Sequence, residues 1–169
     1  MIRGCGDFST LRSNPKFGGF FPHEARNIFK AEPSRDAGPV WMFNRYGVTR
    51  TNLRDGRVVY IGGEHGDFYD SDFCIYNDLV VLTAANQIEI YGYPTAIFPP
   101  TDFHTATLVK DRLFVVGCLG YKDVRRPGET PVHMVDLSSY AISAMEVSGD
   151  KPGWIYKQQQ KNDVSGFPT

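Results

Sequence analysis

The sequence predicts an all-β fold of short strands joined by tight turns. Glycine and proline supply 17 and 11 of the 169 residues, and aromatic residues supply 14%. Because glycine and proline interrupt long helices while aromatic residues favour strands, this composition indicates β structure. Two runs rich in Val, Ile, Phe and Tyr, 57–61 and 112–116, have the common length of a strand, and each is followed by a glycine.

Composition also bounds the class of protein. A chain of 169 residues suffices for one domain with a core, and 41% hydrophobic with 22% charged residues is typical of globular proteins. The net charge of −1 creates no overall field for nucleic acid. No apolar run is long enough to span a bilayer, and the first residues lack the apolar stretch of a secretory signal. We therefore expect a cytoplasmic protein with neither a membrane nor a nucleic-acid partner.

The residues that commonly carry chemistry form no recognisable catalytic motif. Three cysteines, Cys5, Cys74 and Cys118, are too few for a four-thiolate zinc site and have no CxxC spacing. An odd number of thiols without such spacing predicts reduced cysteines rather than a disulfide framework. The sequence contains neither a Gly-x-Ser-x-Gly elbow nor a glycine-rich phosphate loop. The expected catalytic, metal and cofactor assignments are therefore none.

The chain divides into an N-terminal arm or cap, 1–40, and a β-rich domain, 41–169. Turn-forming pairs interrupt the arm, and only 23–30 could form a short helix, after Pro22. The domain contains two predicted hairpins, with turns at 53–56 and at 108–111. In the first, Asp55-Gly56 separates two apolar runs, which predicts a turn in which both central residues have a positive φ.

The domain contains an internal repeat. Leu53, Arg57 and Gly62 are matched by Leu108, Arg112 and Gly117, each pair 55 residues apart. A third strand is predicted at 79–82 and at 132–135, and a fourth at 87–91 and at 141–145. A repeat of about 50 residues with four short strands is typical of a propeller blade.

The repeated residues resemble those of kelch repeats. The resemblance rests on the Gly62-Gly63 doublet, the Asp55-Gly56-Arg57 turn, the Tyr76-Asn77-Asp78-Leu79 segment and the Phe103-His104-Thr105-Ala106 segment. It spans about 41–153 and implies a partial β-propeller of two four-stranded kelch-type blades with an irregular N-terminal arm. Propellers close with about four to eight blades, so two blades leave sheet faces exposed. We expect a longer family member, a homo-oligomer that completes the ring, or an arm that covers one face.

Four residues are expected to have structural roles in the repeat: Gly62, Gly63, Gly117 and His104. The glycines end strands where a Cβ atom would clash with the next blade or the axis. Cys118 replaces the second glycine in the second repeat, so its turn is expected to be less extreme. His104 is expected to hydrogen-bond neighbouring backbone. The segment 153–158 resembles the opening of another repeat, with Gln158 at the position of His104.

The loops that follow the second strand of each repeat are expected to form a binding rim on one face. The first loop is acidic and the second is basic, so the rim would have both signs of charge with aromatic anchors. Its residues are Glu64, His65, Asp67, Phe68, Tyr69, Asp70, Asp72, Tyr121, Lys122, Arg125 and Arg126. In the alternative interpretation the two loops pair with each other and bind nothing.

The kelch resemblance implies a binding module for protein–protein interaction through the blade loops, with an unidentified protein partner. An alternative is an enzyme of the kelch-like sugar-acid isomerase or oxidase type, acting at an axial pocket, with Arg50, Glu64, His65 and Arg126 as candidates. A truncated fragment without independent activity is a further alternative. Three weaker hypotheses are a cation site at Glu64, Asp67, Asp70 and Asp72, a site at His65, His104 and His133, and phosphate binding by Arg45, Arg50 and Arg54.

Overall fold

Ten strands and one short 3-10 helix make up the regular structure in a computed structural model that describes residues 45–66 and 73–158. The prediction of an all-β fold is therefore confirmed. In these residues no helix is long and apolar enough to cross a membrane. The arm 1–40, with the helix predicted at 23–30, lies outside the described residues.

The first four-stranded sheet is antiparallel, with the strand order β1-β2-β5-β6. Its strands are β1 (Thr49–Asn52), β2 (Val58–Ile61), β5 (Asp78–Leu82) and β6 (Ile88–Gly92). Valine and isoleucine dominate β2 and β5, since branched side chains pack well on a pleated surface. Val80 and Ile90 on one face are as well buried as Leu79 and Val81 on the other, so this sheet is covered on both faces.

The second four-stranded sheet repeats the same arrangement, because β7, β8, β9 and β10 also lie side by side in chain order. Its strands are β7 (Thr105–Val109), β8 (Arg112–Val116), β9 (Val132–Asp136) and β10 (Ile142–Ala144). Leu113 and Val135 are fully buried on one face, whereas Phe114 and Met134 on the other are only half-buried. The second sheet is thus less completely covered than the first.

The connections between the second and third strands of the two sheets differ. In the first sheet, β3 (Glu64–His65) and β4 (Cys74–Ile75) form a small antiparallel pair within this connection. In the second sheet, the connection contains the 3-10 helix Lys122–Val124. The repeat therefore preserves the strands and varies the loops, as is usual where loops carry function.

The repeat spacing of 55 predicted from the sequence holds for the glycines that follow the second strands, but not for the buried positions within the sheets. Val59 pairs with Val81 in the first sheet, and Leu113 pairs with Val135 in the second, so equivalent buried positions are 54 residues apart. The predicted spacing was 55 for the second strands and 53 for the third. The five-residue loop 53–57 becomes the two-residue loop 110–111. The one-residue difference arises within the second strands, because β8 has five residues before Gly117 and β2 has four before Gly62.

The first hairpin turn also differs from its prediction. Gly56 has a φ of +85°, but Asp55 is not among the residues with positive φ. The Gly56 N–H donates to the Leu53 carbonyl, so only one left-handed residue is needed here. The Asp55 carboxylate instead accepts hydrogen bonds from the backbone N–H and the guanidinium of Arg57.

One hydrophobic core joins the two sheets. Val59 and Ile61 of the first sheet belong to the same buried cluster as Leu113 and Val115 of the second. Alternate residues of a strand point to opposite faces, so β2 and β8 each turn one side toward this cluster. The linker between the sheets adds Phe98, which is fully buried and contacts the His133 ring edge-on at 5.2 Å between ring centroids.

A backbone joint repeats at the start of each sheet and once more near residue 157. Gly47, Phe103 and Lys157 all have positive φ, at +63°, +46° and +52°. The Phe103 N–H donates to the Gly47 carbonyl, and the Lys157 N–H donates to the Phe103 carbonyl, each at 2.8 Å. The segment 153–158 therefore occupies, beside the second sheet, the place that 99–104 occupies beside the first.

Candidate functional site

The two connections predicted to form a rim meet at an aromatic contact. Phe73 and Tyr121 pack edge-on with 5.9 Å between ring centroids, and the Ile75 N–H donates to the Tyr121 hydroxyl at 2.9 Å. Between the connections lies a cleft of about 420 Å³, which we call the rim cleft. Its lining residues are Glu64, Phe73, Ile75, Asp102, Leu119, Gly120, Tyr121, Lys122, Asp123 and Arg125.

The structure brings together some of the predicted rim residues. Glu64, Tyr121, Lys122 and Arg125 line the rim cleft. The Arg126 side chain is 73% exposed and forms a long ion pair of 3.8 Å with Glu129, within its own loop. His65 lies on β3, opposite Cys74. Asp67, Phe68, Tyr69, Asp70 and Asp72 lie outside the described residues.

Arg125 stabilises the loop that carries it. Its guanidinium donates to the carbonyl oxygens of Leu119 and Gly120, at 2.8 and 3.0 Å. Trp154 donates to the same Leu119 carbonyl at 3.2 Å. Arg125 therefore positions the wall of the rim cleft, and exchanging it would alter the loop as well as its charge.

Asp102 is a lining residue that the sequence interpretation missed. It is fully buried, with one carboxylate oxygen accepting a hydrogen bond from the Gly120 N–H at 2.7 Å. Its other oxygen, Oδ2, has no hydrogen-bond partner among the described residues. The joint places Asp102 one residue before Phe103, where the other two joints have Tyr46 and Tyr156, which are 68% and 49% exposed. An acidic residue at a position otherwise held by tyrosine was the available signal.

The two described thiols are poor nucleophiles. Burial, reinforced by the carboxylate of Asp102, raises the pKa of Cys118 to about 12, although Arg125 opposes the shift. Burial also raises the pKa of Cys74. Because the thiolate is the reactive form, the raised pKa of each thiol disfavours its reaction at neutral pH.

The proposed histidine cluster is not a metal site. His104 is buried, and burial together with nearby His133 lowers its pKa to about 3. Its Nε2 atom shares a hydrogen bond of 2.8 Å with the Thr49 hydroxyl, rather than with backbone as expected, and Nδ1 has no partner among the described residues. Burial lowers the pKa of His133 as well. Over 45–66 and 73–158 no group of three His, Cys, Asp or Glu side chains could hold a metal ion.

The position of His104 explains its structural role. Gln158 donates to Thr105 at 3.2 Å, as His104 bonds to Thr49 in the preceding joint. The prediction that Gln158 occupies the position of His104 is therefore confirmed. A neutral imidazole and an amide can make the same bond without placing a charge between the sheets.

The strand-ending glycines lie against backbone, as predicted. A Cβ atom on Gly62 would lie 2.0 Å from the Thr101 carbonyl oxygen, and one on Gly117 would lie 2.4 Å from the Ile155 carbonyl oxygen. Gly63 has a φ of +93°, whereas Cys118 is not among the residues with positive φ. The second turn is thus less extreme, which is why a side chain is accepted there.

The hypothesis that Arg45 binds phosphate is wrong. Its guanidinium forms a two-point ion pair with Asp78, at 2.5 and 2.8 Å, and donates to the Gly62 carbonyl. The guanidinium also lies 3.5 Å from the centroid of the Tyr76 ring. Arg50 donates to the Tyr60 hydroxyl across the β1–β2 pair. These contacts make Arg45 a buried structural residue near the backbone joint at Gly47.

A second cleft, of about 510 Å³, lies at the opposite ends of β2 and β8, beside the first hairpin turn of each sheet. Leu53, Leu108 and Leu137 form its apolar part, with charged residues around them. Arg57 crosses between the sheets here, since it pairs with Asp55 and donates to the Leu137 carbonyl. These contacts give the cleft a structural explanation.

The chain matches no protein-family model, and a search of curated proteins finds no match. The kelch resemblance, and the function that it implies, therefore stay predictions.

Proposed function

We propose that the β-rich domain contains two kelch-like propeller blades and acts as a protein-binding module, with the rim cleft as its docking site. The observation that carries this proposal is the meeting of two equivalent connections, one from each sheet, around a single cleft. Docking surfaces commonly combine aromatic anchors with charges of both signs, and the rim cleft has both.

The arrangement of the sheets supports the blade assignment. Each sheet has four antiparallel strands in chain order, and one core joins the two. The joint at Gly47 recurs at Phe103 and at Lys157 with the same backbone hydrogen bond. Since the joint after the second sheet repeats the joint before it, a further blade could follow by the same contacts.

The same arrangement supports self-association as one way to cover the second sheet. Its outer face, with Phe114 and Met134, is less buried than either face of the first sheet. Light scattering over a range of protein concentrations tests this: a mass that rises to twice 19.0 kDa supports a homo-oligomer, and a constant 19.0 kDa contradicts it.

The sugar-acid enzyme alternative gains no specific support. Its four candidates are dispersed: Glu64 lines the rim cleft, His65 lies on β3 opposite Cys74, Arg126 lies on the exposed surface, and Arg50 is bonded to Tyr60 on the sheet. The buried histidines and thiols have pKa values displaced away from neutrality, in the directions that keep them uncharged. Binding is therefore the function that the geometry favours.

Affinity capture with a matched pair of charge reversals tests the proposal. Arg126→Glu reverses an exposed charge one residue after Arg125 of the rim cleft, and Arg54→Glu makes the same charge change in the cleft at the opposite ends of the strands. Both side chains are exposed, so we expect both variants to unfold at the wild-type temperature. The affinity of a partner captured by wild-type protein should change about tenfold in Arg126→Glu, measured by calorimetry, and stay unchanged in Arg54→Glu. Equal binding by all three proteins would refute docking at the rim cleft.

A further inference from the structure

We infer that the rim cleft recognises an arginine side chain of the partner protein, and that the Asp102 carboxylate is the group that binds it. This inference rests on the proposed function for its claim that the ligand belongs to a protein. It names the chemistry of the ligand, a guanidinium cation, from the most deeply buried polar side chain of the cleft wall.

Only one of the two carboxylate oxygens of Asp102 has a hydrogen-bond partner among the described residues. Asp102 is 0% exposed, and its Oδ1 atom accepts from the Gly120 N–H at 2.7 Å. Oδ2 is equally buried and has no partner among the described residues. A buried carboxylate oxygen without a donor is costly, because it has lost its hydration and gained nothing in return. A ligand that brings an N–H donor to Oδ2 would remove this cost.

The charged side chains that line the rim cleft also bear on the ligand. Besides Asp102, the described lining of the cleft contains two further carboxylates, Glu64 and Asp123, and two cations, Lys122 and Arg125, so the formal net charge of these described residues is −1. The guanidinium of Arg125 donates to the carbonyls of Leu119 and Gly120. The charge balance therefore favours a cationic ligand over an anionic one.

Among cations, arginine suits the combination of aromatic rings and a carboxylate in the rim cleft best. Phe73 and Tyr121 supply aromatic surface to the same cleft as the carboxylate. A guanidinium is planar and weakly hydrated, so it can contact aromatic rings while it donates to a carboxylate. One of its donors would bond to Oδ2, and the others remain for carboxylates at the rim. Because Oδ2 is covered, binding must move the covering side chains, and the neighbouring Gly120 amide is expected to report that movement.

The experiment is an NMR titration of the full chain with two peptides. The first is a blocked five-residue peptide with one arginine between serine and glycine residues, and the second has citrulline, the neutral analogue, in its place. We expect the arginine peptide to shift the Gly120 amide resonance and to bind about tenfold more tightly than the citrulline peptide. Equal binding of the two peptides, or an unmoved Gly120 amide, would overturn the inference.

Two variants locate the effect. Asp102→Asn keeps an acceptor for the Gly120 N–H and removes the charge, so the arginine peptide should bind about tenfold more weakly. Asp123→Asn removes an exposed carboxylate from the same cleft and should weaken binding less than about twofold. Similar losses in both variants would show that general charge attraction, and not Asp102, binds the peptide. If Asp102→Asn does not fold, the comparison of the two peptides on wild-type protein still decides.

The inference and the proposed function fail differently. Equal binding of arginine and citrulline, with partner binding still sensitive to Arg126→Glu, would leave the docking proposal standing and remove the role of Asp102. Selective binding of the arginine peptide, with partner binding insensitive to Arg126→Glu, would leave a cation site and remove the docking proposal.

Discussion

Arg45→Met tests the buried ion pair that anchors the first joint. The Arg45 and Asp78 side chains are 2% and 6% exposed, and two hydrogen bonds of 2.5 and 2.8 Å join them. The substitution leaves the Asp78 carboxylate buried without its guanidinium and deprives the Gly62 carbonyl of a donor. Breaking such a pair from one side costs about 3–5 kcal/mol, because the buried charge that remains loses the ion-pair partner that offsets its desolvation. We expect the free energy of unfolding to fall by this amount.

A double-mutant cycle separates the pair from its surroundings. Asp78→Leu alone should also be strongly destabilising, but Arg45→Met with Asp78→Leu should be more stable than the sum of the single changes by about 3 kcal/mol, since no charge is then buried. The control cycle uses the exposed pair Arg126→Met and Glu129→Leu, for which a coupling below about 1 kcal/mol is expected. Urea denaturation of all variants supplies the free energies. A coupling at Arg45 and Asp78 as small as in the control would refute the claim that desolvation governs this pair.

Three further predictions follow from the buried groups. Gly62→Ala should destabilise the protein by more than about 3 kcal/mol, because its Cβ atom would lie 2.0 Å from a carbonyl oxygen. Gly128→Ala should cost about 1 kcal/mol, because Gly128 has a φ of +90° but has open space around it. Equal losses of stability in thermal or urea unfolding would contradict the steric argument. The pKa of His104 is about 3 in the folded protein and 6.5 in its ordinary state, so the unfolded chain binds the proton at a higher pH than the folded protein does. The free energy of unfolding should therefore fall by about 2 kcal/mol between pH 6.5 and about 5. His104→Gln should flatten that part of the pH profile, and an unchanged slope would assign it to other groups. Iodoacetamide at about pH 8 should leave Cys118 unmodified in the folded protein and should label it in urea. Mass spectrometry measures the labelling, and the partly buried Cys74 is the internal comparison. Rapid labelling of Cys118 in the folded protein would contradict its raised pKa.

Much of the fold is predictable because its signals are local. The run 57–61 contains β2 (Val58–Ile61), and the run 112–116 is β8. Both are recognisable because each is a run rich in branched and aromatic residues with turn residues on either side. The glycines at 62 and 117 were assigned correctly because their conformational demand is a property of the backbone at that position. The propeller assignment rests on the repetition of these local signals, and it stays a proposal.

The candidate site was harder to predict than the strands. Equivalent loops were expected on one face, and the contact between Phe73 and Tyr121 places them there. Asp102 was missed, because an acidic residue at a position where the other joints have tyrosine does not by itself show that it will be buried. Arg45 was misassigned for the same reason, since an arginine beside a tyrosine in sequence has the same composition whether it faces solvent or a buried carboxylate.

The sequence by itself therefore determined the secondary structure class, the strands of the two four-stranded sheets, the positions of the hairpin turns and the twofold repetition of this protein, because each depends on neighbouring residues along the chain. The tertiary structure alone decided the 54-residue register of the buried positions, the ion pair of Arg45 and the buried carboxylate of Asp102. Those features depend on which groups from distant segments meet and on whether water is excluded when they do. Desolvation is a property of the assembled fold, so residue identity and spacing do not report it.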